Sequence, residues 1–308
     1  MRTILIYLKE YLYAVNKSIL FLCTLFMAIL IYLNYHYKID EHISDDYSSK
    51  GNFIFHYLIF LTAFLIPYLS AAAIKKHNYF SNPVFLFLVL VAPAIFAFKT
   101  AVNFNFHFTS DYRLNNYWYY ITYWPLFLVI TSSFLFILWR IFHTDQPFYG
   151  IKIKDIEWKP YWLMLLIMLP LVAAASTQSD FLNVYPKMKL ITGMAHLKDY
   201  SSWQTLLFEL SYGSDFITIE LFFRGFLILA FIKWAGKDAI LPMACFYCTI
   251  HFGKPLSECI SSYFGGMILG VVVYNTRSIL GGLIVHLGLA WLMEMGGYIG
   301  NQLFSAVP

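Results

Sequence analysis

Charged residues are scarce in this sequence. Only 12% of its 308 residues are Asp, Glu, Lys or Arg, whereas 60% are hydrophobic and 20% are aromatic. Soluble domains contain about 25% charged residues, so this composition excludes an ordinary soluble protein. The net charge of +4 is small and has no basic block behind it, which argues against a nucleic-acid partner.

Disulfide spacing and several protease motifs are also missing. The four cysteines lie in apolar segments, where no disulfide framework can be read from them (Cys23, Cys245, Cys248 and Cys259). The zinc-binding pattern H-E-x-x-H is absent, which disfavours a zinc protease of the site-two type. The segment "YGSD" at 212–215 lacks the G-x-S-G of rhomboid-like enzymes, and paired aspartates of the presenilin type are absent.

Long apolar runs make up most of the sequence. Each is close to the roughly 20 residues that a membrane helix needs, so we predict an all-α, polytopic transmembrane helical bundle with about 8–9 membrane helices. The segments predicted on the same side of the membrane as the N-terminus contain more Lys and Arg than those on the opposite side. We therefore expect an integral protein of the cell membrane with its N-terminus inside. The predicted spans are 18–36, 53–73, 83–101, 117–142, 160–176, 205–233, 239–252, 256–274 and 279–301.

The two parts of the chain differ in character near residue 180. Residues 1–180 form bulky aromatic spans with almost no ionisable side chain at depth, and their role is open. Residues 181–308 carry the polar motifs and more glycine, including Gly266 and Gly270 at the spacing that lets helix backbones touch. We therefore expect the functional core within 181–308.

One apolar stretch, "TIELFFRGFL" at 218–227, contains both a carboxylate and a guanidinium. Glu220 and Arg224 are four residues apart, so on a helix they lie on one face with the glutamate on the favourable N-terminal side. A charged side chain at the bilayer centre costs about 2.5–3.5 kcal/mol on insertion scales, which favours pairing or a functional role. An internal salt bridge is the structural explanation.

Two histidines lie on later spans. His251 occurs in "FYCTIHFGKP", where Gly253 and Pro255 indicate a helix end, and His286 occurs in "GGLIVHLGLAW". One histidine in an apolar helix is more often a packing residue than a ligand. Two of them with Glu220 would suit general acid–base chemistry on water, with or without a divalent metal ion such as Zn held by both histidines.

These three motifs together resemble those of the CPBP family, which comprises the CAAX proteases and bacteriocin-processing enzymes and is also called Abi or type II CAAX endopeptidases. The resemblance covers about residues 205–295 and rests on "ELFFRGFL", "FYCTIHFG" and "GGLIVHLG" in this order. The family pattern is Glu-Glu-x-x-x-Arg, Phe-x-x-x-His and His-x-x-x-Asn or Asp. Glu220 matches its second glutamate, and Arg224, His251 and His286 match its arginine and histidines.

Three positions depart from that pattern. Ile219 stands where the first glutamate, the family's proposed general base, is expected; Tyr247 replaces the phenylalanine; and Ala290 replaces the Asn or Asp. Asp215 lies one helical turn before Ile219 and Glu294 lies one turn after Ala290, so either could supply a relocated carboxylate. The structural alternative is that Asp215 caps its helix and Glu294 faces the outer interface.

The resemblance implies a membrane endopeptidase in which two histidines and a carboxylate activate water against a peptide or protein substrate. On this hypothesis the site residues are Glu220, Arg224, His251, His286 and Asp215. Membrane lipid would be the other partner. An inactive scaffold or immunity-type protein is the alternative, because Ile219 and Ala290 lack polar groups. A proton-coupled transporter is a third, disfavoured by the few ionisable residues in the first five spans.

Overall fold

The computed structural model describes residues 2–46, 48–104, 106–152, 156–193, 197 and 199–304. These residues form helices and turns with no strand, which confirms the all-α prediction. The α-helices are α1 Arg2–Ala14, α2 Lys17–Tyr37, α3 Ile39–Asp46, α4 Ser49–Lys75, α5 Pro83–Ala101, α6 Tyr112–Phe142, α7 Lys159–Ala175, α8 Ser179–Val184, α9 Lys189–Thr192, α10 Ser202–Ile219, α11 Ile232–Ala235, α12 Ile240–Thr249, α13 Leu256–Thr276 and α14 Leu280–Phe304.

Six of these helices are long and apolar enough to cross a membrane: α2, α4, α5, α6, α13 and α14. They make the chain an integral membrane protein. Helix α7 is apolar but shorter, at 17 residues. Helix α10 continues without a break into a π-helix over Glu220–Ala230, so 202–230 is one long helical segment. Among the described residues, six helices therefore have the length and hydropathy of a membrane crossing, and α7 and the segment 202–230 lie outside that set.

The predicted span at 239–252 is much shorter in the structure. Helix α12 has 10 residues, about 15 Å at 1.5 Å per residue, which is half of a bilayer core. All ten are buried, and the turn that follows is buried at His251 as well. Helix α12 therefore ends inside the bundle, which places a polar turn at depth.

Aromatic packing joins the two parts of the chain around α12. The Phe246 ring on α12 lies 4.9 Å from that of Phe60 on α4 and 5.2 Å from that of Phe223 in the π-helix. Phe96 of α5 packs on Phe223 at 5.0 Å. Buried residues from α2, α4 and α5 thus share one hydrophobic core with the motif-bearing helices. The spans before residue 180 enclose the segments on which the polar residues lie.

Candidate active site

The site is built on a rare type of helix. Residues Glu220–Ala230 form a π-helix, and all eleven are buried. A π-helical turn bonds i to i+5 and is often found at functional positions, because the wider turn redirects side chains. Glu220 and Arg224 nevertheless remain on one face, with Oε1 of Glu220 3.3 Å from Nη1 of Arg224. The predicted contact between them is present.

Glu220 has a second partner on α14. Nδ1 of His286 lies 2.9 Å from Oε1 of Glu220, so one carboxylate oxygen joins the guanidinium and the imidazole. Room for this carboxylate depends on Gly282, one turn before His286, because a Cβ there would lie 2.8 Å from Oε2 of Glu220. The pair is almost fully desolvated, with the side chains of Glu220 and Arg224 0% and 1% exposed.

Tyr247 of α12 extends this arrangement. Its hydroxyl lies 3.0 Å from Nε2 of His286, and its ring lies under the Arg224 guanidinium at 3.9 Å. A guanidinium over an aromatic face is attracted by the negative charge of the ring. Gly266 of α13 leaves space for the ring, since a Cβ there would lie 2.9 Å from it. Arg224, Glu220, His286 and Tyr247 therefore form one connected network, which we call the relay.

The protons of the relay follow from the partners. An ionised carboxylate can only accept, so Nδ1 of His286 donates to Glu220. In the neutral ring Nε2 then accepts from the Tyr247 hydroxyl; in the charged ring Nε2 donates and the hydroxyl proton is free to point elsewhere. The relay thus determines which way the Tyr247 proton points.

His251 lies beside the relay. Its ring is inclined by 67° to that of Tyr247, with 4.8 Å between the centroids. Nδ1 of His251 lies 3.0 Å from the backbone carbonyl of Tyr247 and must donate to it, so in the neutral ring the lone pair is on Nε2. Among the described residues, Nε2 has no hydrogen-bond partner.

The turn that carries His251 is anchored from α2. The Asn34 amide donates to the carbonyl of Phe252 at 3.0 Å, and the Tyr35 hydroxyl donates to that of Lys254 at 2.5 Å. These bonds satisfy backbone oxygens of the turn itself, beyond the last residue of α12. The N-terminal spans thereby hold His251 in place.

A second cluster of polar side chains adjoins this turn and is not among the residues predicted from the sequence. Nζ of Lys254 donates to Oε1 of Glu258 at 2.7 Å, and the Tyr185 hydroxyl lies 3.2 Å from each Glu258 oxygen. The i, i+4 spacing of Lys254 and Glu258 could have revealed the pair. Tyr185 could not have been found this way, because it lies 69 residues before Lys254.

Comparison with known families gives a match to the motif-bearing segment. Residues 201–292 match the family described as type II CAAX prenyl endopeptidase Rce1-like, and the matched segment contains all four relay residues and His251. This segment is therefore similar to the CAAX proteases. No curated protein and no solved structure gave a significant match to the chain.

The two residues that could supply a relocated carboxylate, Asp215 and Glu294, lie elsewhere. Asp215 forms an ion pair with Lys99 of α5 at 2.9 Å. Glu294 is 5% exposed and accepts from the backbone N–H of Lys187 at 2.7 Å, so it does not face the outer interface as a solvated residue would. The structure gives both residues partners other than the relay.

The two apolar substitutions are buried. Ile219 is 9% exposed and belongs to the main hydrophobic core. Ala290 is 5% exposed and packs in an aromatic cluster with Phe208 and Phe216. Neither position provides the polar group that the motif of CAAX proteases has there. The Tyr247 hydroxyl, which replaces the hydrogen of a phenylalanine, is the added polar group.

The donor set does not fit a bound metal ion. Both ring nitrogens of His286 are engaged, one by Glu220 and the other by Tyr247. The described part of the chain contains no group of three His, Cys, Asp or Glu side chains placed to share an ion. A tetrahedral site needs three protein ligands and an open position. We therefore derive the chemistry from the side chains alone.

Tyr247, which replaces the phenylalanine of the family pattern, contacts both histidines. A signal was present: a tyrosine inside a fully apolar helix has a hydroxyl that must find a partner. Its position four residues before His251 places both on one face of α12.

Proposed function

We propose that this chain is a membrane-embedded endopeptidase of the CAAX protease type that hydrolyses a peptide bond with water. The observation that carries the proposal is the relay ending at the Tyr247 hydroxyl beside the free Nε2 of His251. It offers a proton acceptor and a hydrogen-bond donor next to each other in a dry setting. Peptide hydrolysis needs both: a base for water and a donor for the carbonyl oxygen.

In the proposed reaction, Nε2 of His251 accepts a proton from water as the water oxygen attacks the carbonyl carbon. The carbonyl oxygen becomes an oxyanion and accepts a hydrogen bond from Tyr247. Glu220 keeps the proton of His286 on Nδ1, and the Tyr247 hydroxyl turns its proton from Nε2 of His286 toward the oxyanion. The intermediate collapses as His251 returns its proton to the leaving amine, which yields an acid and an amine.

Arg224 and Glu220 act as positioning residues in this scheme. Glu220 selects the His286 tautomer, and Arg224 balances the carboxylate charge and holds the Tyr247 ring by stacking. The donor lost at Ala290 is supplied by Tyr247. The base lost at Ile219 is supplied by His251.

The test is cleavage by the full chain in nanodiscs. A pooled library of membrane-segment peptides is incubated with the protein, and new N-termini are identified by mass spectrometry. We expect His251→Ala and His286→Ala each to remove cleavage, while His107→Ala retains it, because His107 is exposed on a loop. The proposal is overturned if wild-type protein cleaves nothing while a CAAX protease with both motif glutamates cleaves the same library.

A non-catalytic scaffold is the second candidate, favoured by the apolar, buried Ile219. In that case the relay serves packing alone. A biological role that survives both histidine variants, but is lost when Glu220→Ala strands the arginine, would select the scaffold.

A further inference from the structure

A cavity of about 720 Å³ lies between α10 and α14, beyond the relay. Its size is that of a site for a small ligand or a few peptide residues. The walls are largely apolar and aromatic, and they include Leu206, Trp291 and Tyr298. Two carboxylates interrupt these walls: Glu209 of α10 and Glu294 of α14.

Among the described residues, neither carboxyl group forms an ion pair. Oε2 of Glu209 and Oε1 of Glu294 are buried and have no hydrogen-bond partner, and Glu294 as a residue is 5% exposed. The other Glu294 oxygen is held by the backbone N–H of Lys187, which fixes the carboxylate in the wall. Buried carboxylate oxygens without partners are costly, so a ligand that supplies a donor would be stabilised there.

Lys187, the neighbouring lysine, does not donate to the free oxygen of Glu294. The Lys187 ammonium lies over the Tyr185 ring at 4.9 Å rather than on Glu294. Burial lowers the pKa of Lys187, in the loop between α8 and α9, to about 7. It is therefore a weak counter-ion near neutral pH.

We infer that this cavity binds a lysine side chain of the peptide substrate, with the ammonium on Glu294 and Glu209 and its aliphatic stem against the aromatic wall. The occupant follows from the unpartnered oxygens, because an ammonium donates hydrogen bonds to both carboxyl groups and favours their ionised form. Aromatic rings add attraction for an ammonium, and apolar walls suit four methylene groups. The identification of the occupant as substrate rests on the proposed function.

The helices also set where the lysine would lie. Glu294 is eight residues after His286 and Glu209 is eleven before Glu220, which corresponds to about 12–16 Å along their helices. An extended peptide covers about 3.3–3.6 Å per residue. The favoured lysine is thus about four residues from the bond that is cleaved.

Binding of blocked peptides tests the inference without hydrolysis. The probes are fluorescein-labelled, N-acetylated, C-amidated leucine-rich nonapeptides with either one lysine or one norleucine. Anisotropy is measured on the full chain in phosphatidylcholine nanodiscs. We expect the lysine probe to bind about ten-fold more tightly than the norleucine probe, as a charge-assisted hydrogen bond would give.

The variants locate the effect. Glu294→Gln and Glu209→Gln are each expected to reduce this preference to about two-fold or less. Glu10→Gln, the same change on an exposed residue of α1, is expected to keep it. Glu209→Gln provides the measurement if Glu294→Gln does not fold.

Three results would overturn the site: equal binding of both probes by the wild type, unchanged preference in a folded glutamine variant of the cavity, or equal loss in Glu10→Gln. Failure of the proposed function looks different. Lysine preference without cleavage of any library peptide would refute hydrolysis and leave the site, whereas cleavage without lysine preference would do the reverse.

Discussion

Removing Glu220 should strongly destabilise the protein, since Arg224 would then be a buried charge without a partner. Both side chains are 1% exposed or less, and their nearest atoms are 3.3 Å apart. Breaking such a buried pair from one side costs about 3–5 kcal/mol. Loss of the His286 hydrogen bond adds about 1 kcal/mol.

The double variant separates the pair from simple packing. Glu220→Met and Arg224→Met are each expected to lower the free energy of unfolding by about 3–5 kcal/mol. Together they leave no stranded charge, so the combined loss should be smaller than the sum by about 3 kcal/mol. The expected coupling is large because neither group can reach water.

The measurement is equilibrium unfolding in mixed micelles with increasing SDS, followed by tryptophan fluorescence. Glu41→Met is the matched control, because the Lys38–Glu41 pair is 63% and 58% exposed and should contribute about 0–1 kcal/mol. Additive losses in the double variant, within about 0.5 kcal/mol, would refute the reasoning. So would an effect of Glu220→Met no larger than that of the control.

Two further changes separate chemistry from structure. Tyr247→Phe removes one hydroxyl and should lower the cleavage rate about 10²–10³-fold if that group serves the oxyanion. The free energy of unfolding should fall by only about 1–3 kcal/mol. A cleavage rate within about three-fold of wild type in the library assay would remove Tyr247 from the mechanism. Asp215→Asn leaves the buried Lys99 without its carboxylate, so the SDS midpoint of unfolding should fall while the cleavage rate per folded molecule stays unchanged. Loss of cleavage without a change in the unfolding midpoint would restore Asp215 as a site residue.

Local spacing was enough to predict part of the relay. The four-residue interval places Glu220 and Arg224 on one face, and the contact depends little on the rest of the fold. The apolar runs likewise predicted helices whose bounds agree within a few residues, as for Pro83–Ala101. Periodicity and composition decide such features because neighbours along a helix are neighbours in space.

Other contacts could not be read from local pattern. The ion pair of Asp215 joins it to Lys99 on another helix, so nothing near Asp215 in the sequence indicates its partner. Helix α12 was expected to reach residue 252 but ends at Thr249, where bonds from Asn34 and Tyr35 of α2 replace those of another helical turn. Long-range packing decided both.

The sequence by itself determined a helical membrane protein with a CAAX protease motif, because hydropathy and residue spacing act within single helices. Tertiary structure alone decided how the motif is completed. It brought Tyr247 to His286 across 39 residues, enclosed Glu220 and Arg224 completely, and placed Glu209 and Glu294 in one cavity. These contacts depend on how α10, α12 and α14 pack against one another. Residue spacing within a single helix does not specify that packing.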